Sequence, residues 1–94
     1  MGFKKIRGIN VSYARQGQIY FALANYEAMP AKTRAGVDRL IHQAAYAGRT
    51  QGEAYEKALR AWLIEGRGYN QVIRECCVNE RALLEKRKWI YENW

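Results

Sequence analysis

Hydrophobic residues recur at intervals of three and four along most of the chain, which is the spacing of one face of an α-helix. The pattern predicts helices near residues 18–28, 31–47, 52–65, 69–76 and 79–92. Pro30, Gly48 and Gly66 stand where helices commonly begin or end. The expected core residues are Leu40, Ile41, Leu59, Trp62, Leu63, Ile73, Val78 and Leu83. The sequence therefore predicts an all-α fold of four to five short helices.

The stretch from Ile9 to Leu23 fits two structures. Ile9, Val11 and Tyr13 alternate with polar residues as in a strand, and the alternation returns at Ile19–Leu23. Helix from residue 18 onward is favoured by the alanines there. A hairpin turning at residues 16–17 stays open.

Composition limits the size and the partners of the molecule. Ninety-four residues suffice for one domain, residues 1–94, with a modest core. The formal net charge of +7 favours encounter with polyanions such as nucleic acid. Positive charge begins at once, because Lys4, Lys5, Arg7 and Arg15 occur without any acid. Residues 1–15 are therefore predicted to be a basic arm that ends in a short extended segment.

Several features indicate a cytoplasmic protein without a membrane partner. No stretch reaches the roughly 20 apolar residues of a membrane span. Residues 1–5 lack the apolar run of a signal peptide, and Ile6 stands where a myristoylation signal has Ser or Thr. The cysteines Cys76 and Cys77 are neighbours, so reduced thiols are expected.

The C-terminal part, residues 68–92, has the order of features found in a helix-turn-helix. Such a unit needs a short first helix, a tight turn with a buried aliphatic residue, and a capped second helix. Val78 is the expected turn residue, Asn79 can cap the second helix, and Leu83 and Ile90 can hold it to the core. The expected inner face of the first helix consists of Val72, Ile73 and Cys76.

This arrangement predicts which side chains contact DNA. The second helix would place its outward residues toward a major groove, while the basic arm grips the backbone or a minor groove. The expected contacts on the second helix are Asn79, Glu80, Arg81, Leu84, Glu85, Arg87 and Lys88. Those of the arm are Lys4, Lys5 and Arg7.

The alternative structure is a plain helical hairpin with a solvated charged face. Ile73 stands at a crossing position where a small residue is usual, and Cys77 stands where glycine is usual. The second helix is also nearly neutral, because its acids almost balance its cations. Both interpretations remain open from the pattern.

Several segments resemble small proteins encoded by Firmicute prophages and mobile elements. These segments are residues 18–26, Met29-Pro30, residues 37–41 and residues 78–94. The C-terminal third is also similar to ArpU/RinA-type phage transcriptional regulators, whose corresponding region is similar to the promoter-binding region of sigma factors. Lys86 departs from those tails, which have an apolar core residue there. The resemblance implies a DNA-binding regulator whose reading helix is residues 79–88.

Enzyme, metal and cofactor chemistry are not predicted. His42 is the single histidine and has no acidic cluster around it in sequence, and Cys76 has no recognisable base. The expected partner is double-stranded DNA, bound by a homodimer because one small module buries little surface, with RNA polymerase as a further partner. The alternative is a phage-encoded inhibitor that contacts a host protein complex.

Overall fold

The computed structural model describes residues 4–48 and 51–94, and all regular elements within these ranges are helical. Five α-helices, α1 to α5, span Tyr13–Ala24, Ala31–Ala45, Gly52–Leu59, Tyr69–Cys76 and Glu80–Glu92. A 3-10 turn at Tyr26–Ala28 follows α1, and a π-helical turn at Arg60–Ile64 continues α3. The predicted all-α class is confirmed. Within the described ranges, no helix is both long and apolar enough to cross a bilayer.

Helix α1 begins at Tyr13, five residues before its predicted start. Ser12 caps it, because the Arg15 backbone N–H donates to the Ser12 side-chain oxygen over 3.2 Å. The predicted extended segment over residues 9–13 and the hairpin at residues 16–17 are therefore both wrong: Gln16 and Gly17 lie within α1. The remaining three residues of the predicted arm, 1–3, lie outside the described residues.

Gln16 is fully buried and fastens residues 4–12, here called the N-terminal segment, to α1. Its side-chain oxygen accepts the Ile6 backbone N–H at 2.8 Å. Its amide nitrogen donates to the carbonyls of Ile6 and Val11, at 3.3 and 2.9 Å. Ile9 adds an apolar contact and is 8% exposed. The segment is thus packed on the helices over part of its length.

The middle of the chain follows the prediction within a few residues. Helix α2 ends at Ala45 rather than 47, and the predicted third helix, 52–65, divides into α3 and the π-helical turn. In that turn the Glu65 N–H donates to the carbonyl of Arg60, five residues back, over 3.0 Å. The wider turn rotates the side chains that follow it relative to α3.

The core lies where α1, α2, α3 and α5 meet, with α4 packed on α3. Four predicted core residues are buried, namely Ile41, Leu59, Val78 and Leu83. The other four were also expected to be buried but are only half-buried, namely Leu40, Trp62, Leu63 and Ile73. Val72 and Ile90, the expected inward residues of the C-terminal hairpin, are buried as well, and Ile19 and Leu23 of α1 complete the core.

Candidate nucleic-acid interface

Helices α4 and α5 are joined by only three residues, 77–79. Cys77 has the left-handed backbone conformation, with φ 54° and ψ 44°, at the position where glycine was expected. This conformation places a side chain in a strained region, at a cost of about 1–2 kcal/mol relative to a right-handed residue. Val78 follows and is 6% exposed, so the connection is anchored in the core as predicted.

Asn79 begins α5 as its N-cap. The Ala82 backbone N–H donates to the Asn79 side-chain oxygen over 3.0 Å, and the cap predicted from the sequence is confirmed. The Asn79 backbone N–H donates to the Tyr55 hydroxyl at 3.3 Å. The start of α5 is therefore positioned both by its own cap and by α3.

The two helices of this unit are also tied to each other near their N-terminal ends. The Tyr69 hydroxyl donates to the Glu80 carbonyl over 3.3 Å, and its ring lies 5.0 Å from that of Trp62. Burial, followed by the neighbouring Glu80, raises the pKa of Tyr69, so its hydroxyl remains a donor at neutral pH. Val72 faces the core at 1% exposure, with Ile73 and Cys76 half-buried beside it.

The outward face of α5 carries most of the predicted contact residues. Arg81 and Glu85 are exposed, and Leu84 is 40% exposed although it is a large apolar side chain. Glu80 is exposed at the first position of the helix, and Lys88 is half-buried further along. The face combines both charge signs with one exposed leucine.

Arg87 was predicted to face outward, and this prediction is wrong. Its guanidinium lies over the Trp62 ring, 4.5 Å from the ring centroid, and its Nε atom is buried. Burial lowers the pKa of Arg87, against the opposing effect of Tyr91 and Tyr69. A usable signal was present in the sequence: position 87 is four residues after buried Leu83 and therefore on the same helix face.

Lys86 also turns toward the protein, which explains why this cation can stand at a position expected to be apolar. Its ammonium donates to the Ala44 carbonyl over 2.9 Å and lies 4.7 Å from the centroid of the Tyr55 ring. Ala44 belongs to the last turn of α2, where carbonyls lack helical partners and favour a cation. Burial lowers the pKa of Lys86.

The N-terminal segment lies beside the C-terminal half of α5. Lys4, Lys5 and Arg7 are exposed. The Asn10 backbone N–H donates to the Glu92 carboxylate over 3.0 Å, which joins the segment to the last residue of α5. The structure therefore brings the segment that carries these cations to α5, although at the end opposite Arg81.

Two arginines that could contribute to a phosphate-contacting rim are instead ion-paired within the chain. Arg60 donates to Asp38 over 2.7 Å, and Arg67 lies 3.1 Å from Glu75. Burial acts to raise the pKa of Asp38, but hydrogen bonds from Tyr26 and Arg60 outweigh it and lower the value. These contacts hold α2 to the π-helical turn and the connection 65–68 to α4.

Comparison with known proteins identifies no relative: no family model, curated protein or solved structure matches this chain.

Proposed function

We propose that this chain binds double-stranded DNA in a sequence-dependent manner, with α4 and α5 acting as a helix-turn-helix and α5 entering the major groove. The observation that carries the proposal is the connection of residues 77–79. A left-handed turn residue, a buried aliphatic and a capping asparagine follow one another there. The first two turns of α5 consequently present an exposed face, and the major groove of DNA is wide enough to admit an α-helix.

Arg81 is the proposed base-reading residue. It lies in the first turn of α5, where groove-contacting side chains are concentrated in helix-turn-helix proteins. Leu84, one turn further along, offers an apolar contact for a thymine methyl group. Glu80 and Glu85 repel phosphates, so the proposed docking keeps both carboxylates away from the two DNA backbones.

The N-terminal segment is the proposed backbone contact. Lys4, Lys5 and Arg7 carry no acid near them in sequence, and Gln16 fastens the segment so that its cations need little further ordering on binding. Arg87 is omitted from the proposed contacts because its guanidinium packs on Trp62. The remaining proposed contacts are Asn79, Glu80, Arg81, Leu84, Glu85 and Lys88.

The biological role that fits this activity is transcriptional regulation in a phage or mobile element, in line with the resemblance of the C-terminal third. A homodimer is proposed, because one module buries too little DNA surface for tight binding. RNA polymerase is the proposed protein partner.

The first experiment measures binding to a random-sequence duplex by fluorescence anisotropy at low and at moderate salt, followed by selection of preferred sequences from a randomised pool. Binding that weakens steeply with salt is expected for a protein of charge +7 that contacts phosphates. A folded protein that does not bind any duplex at low salt would overturn the proposal.

Variants distinguish residues that recognise the base sequence from residues that contact the DNA backbone. Arg81→Met should reduce the preference among sequences, by about 1–3 kcal/mol if Arg81 pairs with a guanine edge. The double variant Lys4→Gln, Lys5→Gln should weaken all sequences alike and flatten the salt dependence by about one unit per lost phosphate contact. Lys32→Gln, an exposed cation on α2, is the control for loss of charge elsewhere. If all three behave alike, α5 has no reading role.

A second candidate function, contact with a host protein complex, is favoured by one observation on α1. Three aromatic side chains on this helix are largely exposed: Tyr13 at 53%, Tyr20 at 45% and Phe21 at 47%. Exposed aromatic residues at such density are typical of protein interfaces. Phe21→Ser would abolish binding to a host complex and leave DNA binding intact if α1 serves that partner.

A further inference from the structure

A small cleft lies between the N-terminal segment, α1, the π-helical turn and α5. Its volume is about 280 Å³, slightly below the usual range for sites of drug-sized ligands. Residues from four separate parts of the chain line it: Lys4, Ile6, Tyr20, Trp62, Leu63, Arg87 and Tyr91. The walls are mainly aromatic and aliphatic, and the two charged residues are both cations.

Arg87 has a hydrogen-bond donor in this cleft that lacks an acceptor. Its Nε–H is buried and has no hydrogen-bond acceptor among the described residues. None of the salt bridges formed within the described ranges includes Arg87. The Trp62 ring, 4.5 Å from the guanidinium carbon, partly compensates the charge but cannot accept all of its N–H groups. A cation that is half-buried, as Arg87 is, and that has no acid beside it in the described part of the chain gains from an anionic partner.

The shape of the available donors selects the kind of anion. A guanidinium offers two parallel N–H groups that match the two oxygens of a carboxylate, and Lys4 adds one mobile ammonium at the rim. A bare phosphate has strongly polar oxygens on every side, and those that face Ile6 and Leu63 would lose their hydrogen bonds to water without replacement. Ile6, Leu63 and the Trp62 ring provide an apolar surface next to the charge. An acid with an apolar body therefore suits the cleft better than a bare inorganic anion.

We propose that this cleft binds a small organic carboxylate with an aromatic or similarly apolar body, held by Arg87 and Lys4 and packed between Ile6, Trp62 and Leu63. The proposal does not rest on DNA binding. Because the ligand would bridge the N-terminal segment and α5, the two regions proposed to contact DNA, its binding would also stiffen their relative position.

The test uses phenylacetate as the probe and phenylacetamide, of nearly the same shape but without charge, as its matched control. Both are titrated into the full chain and followed by ¹H–¹⁵N NMR at the Arg87 Nε–H and Trp62 indole signals. Phenylacetate should shift both signals in a saturable manner, and phenylacetamide should bind at least about tenfold more weakly, because it lacks the charge-assisted hydrogen bonds. Equal affinity for acid and amide would overturn the proposal.

Two variant pairs refine the assignment. Arg87→Met, which keeps the apolar stem over Trp62, should weaken phenylacetate binding at least about tenfold, whereas Lys86→Met on the same helix should not. Lys4→Met should weaken it by about twofold to fivefold, and its neighbour Lys5→Met should leave it unchanged. Unchanged binding by a folded Arg87→Met protein would overturn the proposal. So would inorganic phosphate that displaces phenylacetate from the unmodified chain at equal concentration. The comparison of acid with amide on the unmodified chain decides the matter even if Arg87→Met does not fold.

Discussion

The C-terminal unit, α4 and α5, and the N-terminal segment are held in place by different kinds of interaction. The C-terminal unit is fixed by apolar side chains from each helix, such as Val72 and Leu83, and by the Asn79 cap. The N-terminal segment has Ile9 as its single buried apolar residue and depends on the hydrogen bonds of one buried amide, Gln16.

The two regions also differ in charge. Every charged residue of the N-terminal segment is a cation. On the outward face of α5 the sign of the charge alternates from Arg81 to Glu85 to Lys88. The helix proposed to enter the major groove and the unbalanced positive charge are therefore in different parts of the molecule. The proposed binding of DNA requires both, and perturbing each region separately is the most direct way to examine their relation.

The largest effect is expected from truncating the inner face of α5. Leu83 is fully buried, so Leu83→Ala should lower the free energy of unfolding by about 2–5 kcal/mol through lost burial and a residual cavity. Leu84→Ala, one position along on the outward face, should change it by no more than about 0.5 kcal/mol. Urea unfolding followed by circular dichroism measures both. Similar losses for the two variants would show that the register of α5 is different.

The next effect concerns the attachment of the N-terminal segment. Gln16→Leu keeps the side-chain volume but leaves the Ile6 N–H and the Val11 carbonyl without their partner, at a cost of about 1–3 kcal/mol. Hydrogen exchange at the Ile6 amide should accelerate in this variant. Gln18→Leu, an exposed position on the same helix, is the control and should leave both quantities almost unchanged. An unaltered Ile6 exchange rate in Gln16→Leu would contradict the proposed attachment.

A smaller effect of opposite sign is expected at the turn between α4 and α5. Cys77→Gly relieves the left-handed strain. Glycine loses more backbone entropy on folding than cysteine does, and with that cost subtracted the variant should raise the free energy of unfolding by about 0.5–1 kcal/mol. Cys76→Gly, in the last helical turn of α4, should lower it by at least about 0.5 kcal/mol. Thermal unfolding under reducing conditions compares the two. If both variants lower the free energy of unfolding, the Cys77 thiol stabilises the fold by more than the left-handed conformation costs.

The last effect appears only at alkaline pH and concerns Tyr91, which lies between the two regions. Burial raises the pKa of Tyr91 from 10.0 to about 12. Because the neutral phenol is favoured in the folded state, its contribution is complete below pH 10 and is lost as the pH rises toward 12. The free energy of unfolding should therefore fall in this window, and Tyr91→Phe should remove part of the decline. A decline of equal steepness in Tyr91→Phe would assign it to other groups.

The sequence alone was sufficient to predict α4, whose bounds agree with the prediction, and α5, which begins one residue later than expected. Both helices are delimited by local signals: a capping asparagine, a turn residue, and apolar positions at helical spacing. Such signals act within a few residues along the chain, so they can be recognised without knowledge of the packing.

The tertiary structure decided the features that depend on partners distant in sequence. Gln16 and Arg87 are polar, and polarity along one helix suggests exposure. Gln16 is nevertheless buried because the N-terminal segment lies across it, and Arg87 lies over Trp62 because the π-helical turn places that ring beneath α5. The hydrogen bonds of a buried amide and the contact of a cation with an aromatic ring form only after the helices have met. The local pattern can place Arg87 on the same helix face as Leu83, but the ring that it contacts is decided by packing.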